Sequence, residues 1–389
     1  MEEIKKKNKK VRKEVHNFNA GPSKLPREII KKVKEQLLDY KNGYSVMEMS
    51  HRSNEFKQIM EESEINIRNI INVPKEYEIL WMHGGANMQF SSIPMNFCDK
   101  DKDTCNYLIT GNWSRQAYLE AVKCLSDNEF KNIVKCTEVC NEDINTIDLK
   151  VDNSCKYIYY CDNETINGIE LAENMDNLLS RYKNINWIAD MSSNLFTRPF
   201  DITKYSMVYA CAQKNFGIAG CTLVIINKNM LKYSPNNIPS LLNYNFVSKS
   251  NSLYNTPCVF SIYISSLMLN WIKLQGGLLS MYQNSLHKSY LISSIIDNSS
   301  GFYYYSSPSF YRSRLNLLFR ISPLKNNSPS CLAESLFLSL SHHFGFIGLE
   351  GHRSAGGIRI SLYNSIPFHS VIKLYDFMNF YHAVFFNKF

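Results

Sequence analysis

The segment YACAQKNFGIAGC, residues Tyr209–Cys221, places a single lysine, Lys214, between an apolar run and two glycines. The residues before it predict a buried strand, and the residues TLVIIN after it predict another. A charged lysine is costly to bury unless it is paired. We therefore expect Lys214 to have a chemical role, with a pKa lowered by its surroundings, so that its amine can form a Schiff base.

The chain around this segment alternates between predicted strands and predicted helices. Short apolar runs predict strands at YEILWMH, CNYLIT, KYIYYCDNET, INWIAD, MVYACA and TLVIIN. GGANMQF and GNWSRQAYLEAVKCL predict helices that follow two of these strands. Such alternation is typical of a mostly parallel sheet with helices on both faces, so we predict an α/β fold.

Three features follow the predicted strands, where ligands bind in open α/β sheets. GGANMQF, from Gly84 to Phe90, either holds a phosphate at a helix N-terminus or is only a turn. Trp113 either stacks on an aromatic ligand or belongs to the core. Asp190 either caps a helix or keeps a heteroaromatic nitrogen protonated. Together with Lys214, these are the minimum set for a pyridoxal 5'-phosphate (PLP) enzyme.

The two ends of the chain differ in character from this middle part. From about Gln275 the pattern predicts a second, smaller α+β domain, and the stretch EEIKKKNKKVRKE predicts a basic, disordered tail. We therefore predict a tail at residues 1–17, a large PLP-binding domain at 18–274 and a small domain at 275–389. The arm 18–26 is expected to pack on the small domain.

Composition limits the location and partners of the chain. Among its eleven cysteines the only close pair with metal-like spacing, Cys136 and Cys140, has no histidine nearby, so no metal is predicted. Unpaired thiols without a secretory signal predict a cytoplasmic protein. The net charge of +8 lies partly in the tail, which leaves nucleic-acid or anionic-lipid binding open. We expect a solvated tail and neither partner.

Beyond these arguments, the sequence resembles the phosphoserine aminotransferase family, class-V aminotransferases of PLP fold type I. The resemblance extends from about Phe18 to the last helix. It is carried by NFNAGPSKLP, SVMEMSHRS, GGANMQF, TGNWS, NETINGIE, ADMSSN, AQKNFGIAG, YNTP and GHRSAGGIRISLYN, in this order. It implies a large domain with a mostly parallel, seven-stranded sheet flanked by helices, and a smaller C-terminal α+β domain.

The resemblance also implies a role for each site residue. Lys214 is expected to bind PLP covalently, Asp190 to contact the pyridine nitrogen, and Trp113 to stack on the ring. Further cofactor contacts are expected from Ala86, Asn87, Thr165 and Gln213, and from Asn255 and Thr256 of a partner subunit. Five basic residues are expected to hold substrate anions: His51, Arg52, His352, Arg353 and Arg359.

The implied activity is that of a homodimeric phosphoserine:2-oxoglutarate aminotransferase of serine biosynthesis. It would convert 3-phosphohydroxypyruvate and L-glutamate into O-phospho-L-serine and 2-oxoglutarate. Arginine suits both anionic substrates because its fork binds carboxylate or phosphate bidentately. Other readings are a class-V transaminase with a different oxo acid, a binder acting through the tail, and an inactive relative. The presence of Lys214 and Asp190 argues against the last.

Two positions depart from the family pattern. Asn87 stands where many relatives have arginine or another small or polar residue, and Asn167 stands where histidine is common. We expect these departures to affect rate and affinity rather than the type of reaction.

Overall fold

The computed structural model describes residues 14–41, 43–125, 133–139, 143–149, 151–307, 309–323 and 328–386. Most of the basic stretch, and Cys140 of the close cysteine pair, lie outside these residues. The strands in chain order are β1 His16–Asn17, β2 Tyr77–Met82, β3 Thr104–Ile109, β4 Val134–Glu138, β5 Cys155–Cys161, β6 Asn163–Glu164, β7 Ile169–Glu170, β8 Asn186–Asp190, β9 Met207–Cys211, β10 Thr222–Asn227, β11 Tyr303–Tyr305, β12 Asn316–Ile321, β13 Phe346–Ile347 and β14 Ile358–Ser361.

The helices alternate with these strands in the first two thirds of the chain and dominate the last third. In chain order they are α1 Arg27–Gln36, α2 Asn54–Ile71, α3 Gly85–Phe97, α4 Asn112–Leu125, α5 Asp176–Arg181, α6 Ala212–Asn215, α7 Lys228–Leu231, α8 Tyr244–Lys249, α9 Val259–Leu274, α10 Gly277–Asp297, α11 Cys331–His343 and α12 Phe368–Phe385.

A seven-stranded sheet forms the centre of the molecule, with the strand order β2-β10-β9-β8-β5-β3-β4. β10 runs antiparallel to both of its neighbours, and the remaining neighbouring pairs are parallel. The predicted mostly parallel α/β sheet is therefore confirmed. β4 has no counterpart among the sequence predictions because it lies at the sheet edge, where buried and exposed residues alternate and leave no apolar run.

Apolar cores cover both faces of this sheet. Successive side chains of a strand point to opposite faces, so neighbouring tyrosines of β5 pack in different cores. Tyr159 lies 4.9 Å from the ring of Tyr107 in one core, and Tyr160 lies 6.1 Å from the ring of Trp187 in the other. The sheet is thus a buried platform, and the loops at its carboxyl edge are anchored from both sides.

A second, antiparallel sheet of order β11-β12-β14 lies in the C-terminal part and packs its own apolar core with α10, α11 and α12. α10 joins the two parts, since Leu278 packs in a core of the large sheet and Ile292 packs in the C-terminal core. The predicted domain boundary at 274/275 falls in the turn between α9 and α10.

The N-terminal arm corrects the predicted extent of the tail. β1 pairs in parallel with β13, where His16 lies opposite Phe346. The ring of Phe18 is fully buried in the C-terminal core. His16 and Asn17 therefore belong to the folded protein rather than to the tail predicted at 1–17. The sequence pattern missed them because their partners lie more than three hundred residues away.

None of the helices in the described ranges is long and apolar enough to cross a bilayer.

Candidate active site

A cleft of about 410 Å³ lies where loops follow the large sheet. Nine of the residues expected at the site line it: Ala86, Asn87, Trp113, Thr165, Asp190, Gln213, Lys214, His352 and Arg359. Seven of them end or follow strands of the large sheet, whose carboxyl ends meet at one edge, and His352 and Arg359 reach the cleft from the C-terminal part.

Lys214 lies in α6, a single turn that starts directly after β9. Burial lowers the pKa of Lys214, as expected from the sequence, but the fields of Tyr363, Asp190 and Cys211 outweigh burial. The net direction is upward, so the expectation of a lowered pKa is wrong for the structure as it stands. The sequence could not indicate this direction, because Tyr363 lies far along the chain and only the fold brings it close to Lys214.

Asp190 ends β8 and is only 4% exposed. Its Oδ2 accepts a hydrogen bond of 2.9 Å from the hydroxyl of Tyr209, and its Oδ1 accepts one of 2.8 Å from the backbone N–H of Ser192. Tyr209 in turn contacts the hydroxyl of Tyr159 at 2.8 Å. This network fixes a buried carboxylate in the floor of the cleft.

Trp113 lies in the first turn of α4, with its ring centroid 5.9 Å from Nζ of Lys214. Its indole Nε1 donates a hydrogen bond of 3.0 Å to Oγ1 of Thr165. The indole is therefore held at its edge, and its face is available for stacking.

Glu164 is a site residue that the sequence reasoning missed. Its side chain is fully buried and accepts hydrogen bonds from the backbone N–H groups of Trp113 at 2.9 Å and Ser114 at 2.8 Å, and from the Ser114 hydroxyl. Burial raises the pKa of Glu164, while the bonds from Ser114 and Trp113 oppose this rise. The available signal was a glutamate near the end of the predicted strand KYIYYCDNET, inside NETINGIE.

The N-terminus of α3 forms another wall of the cleft. Gly84 precedes this helix with a φ of 78°, in the left-handed region that favours glycine. No side chain caps the helix, and its first turn contains no acidic residue. Ala86 and Asn87 lie in this turn, so their backbone N–H groups belong to a terminus that is suited to a phosphate.

Arg359 belongs to β14 and approaches the cleft from the C-terminal sheet. Its guanidinium donates a hydrogen bond of 3.3 Å to the carbonyl oxygen of Thr165, but its Nε is buried and has no partner among the described residues. Burial lowers the pKa of Arg359. A buried donor without an acceptor is costly, so an anion in the cleft would satisfy a group that the protein leaves unpaired.

The other expected anion-binding residues are distributed unevenly. His352 lines the cleft and its Nδ1 contacts the Ser354 hydroxyl at 2.7 Å, whereas its neighbour Arg353 is exposed outside the cleft lining. His51 and Arg52 lie in the turn before α2 and do not line the cleft of their own chain.

Asn255 and Thr256 also lie outside the cleft of their own chain, in the segment before α9. The amide of Asn255 contacts Nε2 of His83 at 3.1 Å, and Thr256 is exposed.

The two departures from the family pattern differ in position. Asn87 lines the cleft. The Oδ1 of Asn167 accepts a hydrogen bond of 2.9 Å from the backbone N–H of Asn112, so Asn167 helps to hold the start of α4.

This arrangement fits a flat, phosphate-bearing cofactor. Trp113 offers a face opposite Lys214, Asp190 offers a buried carboxylate, and α3 offers an uncapped N-terminus. The orphaned Nε of Arg359 leaves a place for the anion of a substrate.

Comparisons with known proteins agree with this geometry. The family model described as "Aminotransferase class-V" matches residues 15–374. The "Phosphoserine aminotransferase" of Blochmanniella floridana is 40% identical over 377 residues, which cover 95% of this chain and 98% of that protein. The protein of the same description from Drosophila melanogaster is 40% identical over 366 residues, with coverage of 94% and 97%.

Solved structures show the same likeness. The phosphoserine aminotransferase from Bacillus circulans subsp. alkalophilus has a TM-score of 0.86 at 35% identity, and the match covers 95% of this chain and 99% of that one. The PLP-bound phosphoserine aminotransferase from Trichomonas vaginalis has a TM-score of 0.84 at 32% identity, with coverage of 94% and 100%.

Proposed function

The chain belongs to the phosphoserine aminotransferase family of the class-V aminotransferases and is therefore a PLP-dependent transaminase of serine biosynthesis, and we propose how its residues carry out the transfer. The reaction takes the amino group of L-glutamate to 3-phosphohydroxypyruvate and gives O-phospho-L-serine and 2-oxoglutarate. The observation that carries the assignment of residues is the convergence of Lys214, Asp190, Trp113 and Arg359 on one cleft.

Besides Lys214, six residues hold and tune the cofactor in this proposal. When bound, PLP supplies an electron sink for the negative charge that develops at the substrate Cα. The Asp190 carboxylate keeps a proton on the pyridine nitrogen, because an opposite charge favours the protonated form. Trp113 would stack on the cofactor, and Thr165, which already accepts the Trp113 indole N–H, would hold it beside that ring. Ala86, Asn87 and Gln213 bind the phosphate.

Lys214 is the covalent anchor and the proton carrier. With cofactor and substrate bound in the cleft, the Nζ of Lys214 would lie next to the substrate Cα and could take the proton from it. Ser23 holds the backbone of this turn, since its N–H donates a hydrogen bond of 2.9 Å to the carbonyl oxygen of Gln213 and its hydroxyl donates to that of Lys214. The arm therefore helps to orient the lysine.

Arg359 and His352 bind the substrate anions within one chain. The unpaired Nε of Arg359 and its fork geometry suit the α-carboxylate that both substrates share. His352 adds a ring N–H donor and the neighbouring Arg353 adds positive charge for the second anion, which is a phosphate in one substrate and a carboxylate in the other.

The enzyme works as a homodimer with shared sites in this proposal. Asn255 and Thr256 lie outside their own cleft, and so do His51 and Arg52. If these four residues bind cofactor phosphate and substrate anions, they do so in the cleft of the partner subunit. We also propose a cytoplasmic location, since ten described cysteines are free thiols.

Substrate preference tests the proposal. We expect kcat/KM for 3-phosphohydroxypyruvate to exceed that for pyruvate at least tenfold, because a charge-assisted hydrogen bond to the phosphate contributes about 1.5–3 kcal/mol. The measurement is steady-state transamination with L-glutamate as donor. Equal values for the two oxo acids would instead favour a class-V transaminase with another substrate.

A further inference from the structure

A second pocket has a volume of about 470 Å³. It is lined by the N-terminal arm with Lys24, by Arg27 at the start of α1, by the end of α9 with Trp271, by α10 with Lys288, and by residues 364–370. We call it the arm pocket. No residue assigned to the transaminase reaction lines it.

Lys288 is the unusual residue of the arm pocket, since its side chain is only 3% exposed. Its Nζ donates hydrogen bonds to the carbonyl oxygens of Tyr363 at 2.8 Å and Ile366 at 3.3 Å, and no described carboxylate forms an ion pair with it. An ammonium has three donors. In its protonated form Lys288 thus has one N–H without an acceptor and no carboxylate to neutralise its charge.

Two carboxylates, those of Glu14 and Glu28, also line the pocket, and both have hydrogen-bond partners. Glu14 binds Lys373 at 2.8 Å and His369 at 3.1 Å, and Glu28 accepts the indole N–H of Trp271 at 2.6 Å. Lys24 and Arg27, by contrast, form no ion pair with a described residue. The indole leaves the charge of Glu28 in place, but the three basic residues Lys24, Arg27 and Lys288 still outnumber the two carboxylates that line the pocket.

Arg314, close to Lys288, adds to this excess, although it is paired with Glu170 at 3.0 Å. Burial, followed by the charge of Arg314, lowers the pKa of Lys288 to about 7. A negatively charged ligand would stabilise the protonated form of this lysine.

We propose that the arm pocket is a binding site for a small oxyanion, a carboxylate or a phosphate, held by Lys288 together with Lys24 and Arg27. The chemistry of recognition is the same for both ligands, since each supplies oxygen acceptors for an ammonium and a guanidinium. A volume close to that of the catalytic cleft admits a ligand of metabolite size.

The arm pocket shares a wall with the catalytic cleft. The Tyr363 carbonyl accepts from Lys288, while the Tyr363 hydroxyl donates a hydrogen bond of 2.8 Å to the carbonyl oxygen of Ala20, which lines the cleft. The next residue, Asn364, donates its backbone N–H to Oδ1 of Asn215 at 3.2 Å, next to Lys214. An anion that draws the Lys288 ammonium away from the Tyr363 carbonyl would shift the segment 363–364, and through Asn215 it would alter the position of Lys214.

The four tryptophans provide a direct test, because Trp271 lines the arm pocket and Trp113 lines the catalytic cleft. The holoenzyme labelled with 5-fluorotryptophan is titrated with acetate and, separately, with inorganic phosphate, at constant ionic strength set with chloride. Fluorine NMR follows the resonances of both residues, assigned with Trp271→Phe and Trp113→Phe respectively. We expect a saturable shift of the Trp271 resonance with at least one of the two anions.

The Lys288→Met variant is expected to lose this shift while keeping the response of the Trp113 resonance. Lys273→Met removes an exposed lysine at the end of α9 and serves as the matched control, with an unchanged shift. Lys24→Gln leaves the buried position intact and should weaken binding severalfold. It keeps the test decisive if Lys288→Met does not fold.

The dependence of affinity on pH gives a second readout with acetate, which does not titrate near neutrality. Because the bound form needs a charged Lys288, the dissociation constant should rise roughly fivefold between pH 7 and pH 8 in the parent enzyme and not in Lys288→Met. A Trp271 resonance that is unmoved by both anions, or that shifts equally in Lys288→Met, would overturn the proposal. Neither result would affect the transaminase assignment, which is measured separately by its activity.

Discussion

Glu164 fixes the start of the helix that carries Trp113, since its Oε2 accepts a hydrogen bond of 2.9 Å from the Trp113 backbone N–H. The following residue of the same chain, Thr165, accepts the indole N–H at 3.0 Å. Two consecutive residues after β5 thus hold both the backbone and the ring edge of one tryptophan. The orientation of the stacking surface therefore depends on a buried carboxylate that does not itself line the cleft.

Replacing Glu164 by alanine is expected to loosen Trp113. Two backbone N–H groups at the start of α4 would lose their acceptor, at a cost of about 1–3 kcal/mol for each buried donor. Glu164→Gln keeps one acceptor oxygen and should retain more stability and more cofactor affinity. Denaturant unfolding and the near-ultraviolet circular dichroism of bound cofactor measure the two effects. Glu138→Ala is the control, because Glu138 also contacts α4, through Arg115, but is exposed. If Glu164→Ala had the stability and the cofactor dichroism of the parent, Glu164 would not be needed to hold Trp113.

Lys214 is expected to be the attachment point of the cofactor. Borohydride reduction of the holoenzyme should fix PLP to this residue alone, because the other features of the site converge on it. Peptide mapping by mass spectrometry locates the label. Lys214→Ala should lower kcat by at least ~10²-fold, the lower end of the contribution of a positioned proton carrier. Recovery of the label on another buried lysine, such as Lys288, would refute the assignment.

Arg359→Gln is expected to raise KM for both L-glutamate and 3-phosphohydroxypyruvate. The change removes the unpaired Nε donor and the charge that suits a carboxylate. The lost stabilisation of about 1.5–3 kcal/mol should lower kcat/KM roughly tenfold to a hundredfold. Steady-state kinetics with each substrate measure the effect. Arg115→Gln, an exposed arginine paired with Glu138, should leave both constants near those of the parent. A loss confined to one substrate would exclude binding of the shared carboxylate.

Lys288→Met is expected to change the dependence of stability on pH. The folded-state pKa of Lys288 is lowered to about 7, below the 10.5 of an ordinary lysine, so the unfolded chain binds the proton more tightly between these values. Parent stability therefore rises with pH in this window relative to that of the variant. The free energy of unfolding of the variant minus that of the parent should therefore fall by about 2 kcal/mol from pH 7 to pH 9, as measured by denaturant unfolding. A difference that is independent of pH would mean that burial does not depress this pKa.

Mixed dimers test whether Asn255 and Thr256 serve the neighbouring site. A Lys214→Ala chain cannot bind PLP covalently in its own cleft but can lend Asn255 and Thr256 to a partner. A chain with Asn255→Ala and Thr256→Ala keeps its lysine but lends nothing useful. Mixing should therefore create one intact site in each isologous dimer. Activity is measured after refolding the two chains together and separately, and should rise only in the mixture, towards half of the parent value for each mixed dimer. No recovery in proven mixed dimers would exclude a shared site of this kind.

Local sequence was sufficient to predict the buried strands of the large sheet and the class of cofactor. The apolar runs around Lys214 and Asp190 determine two buried strands, since continuous apolar residues are stable only where both faces of a sheet are covered. The class of cofactor followed from the residue types after these strands, and the family motifs added the substrates. These conclusions depend on neighbours within a few residues along the chain.

Tertiary structure alone decided the features that depend on distant partners. Glu164 meets Trp113 across fifty-one residues, and Arg359 meets Thr165 across one hundred and ninety-four. The upward pKa of Lys214 arises from Tyr363 and other groups that no local pattern places beside it. The pairing of His16 with residue 346 and the burial of Lys288 have the same origin. Electrostatic fields and hydrogen bonds act through space, and only the folded order of strands and helices decides which groups are close enough to interact.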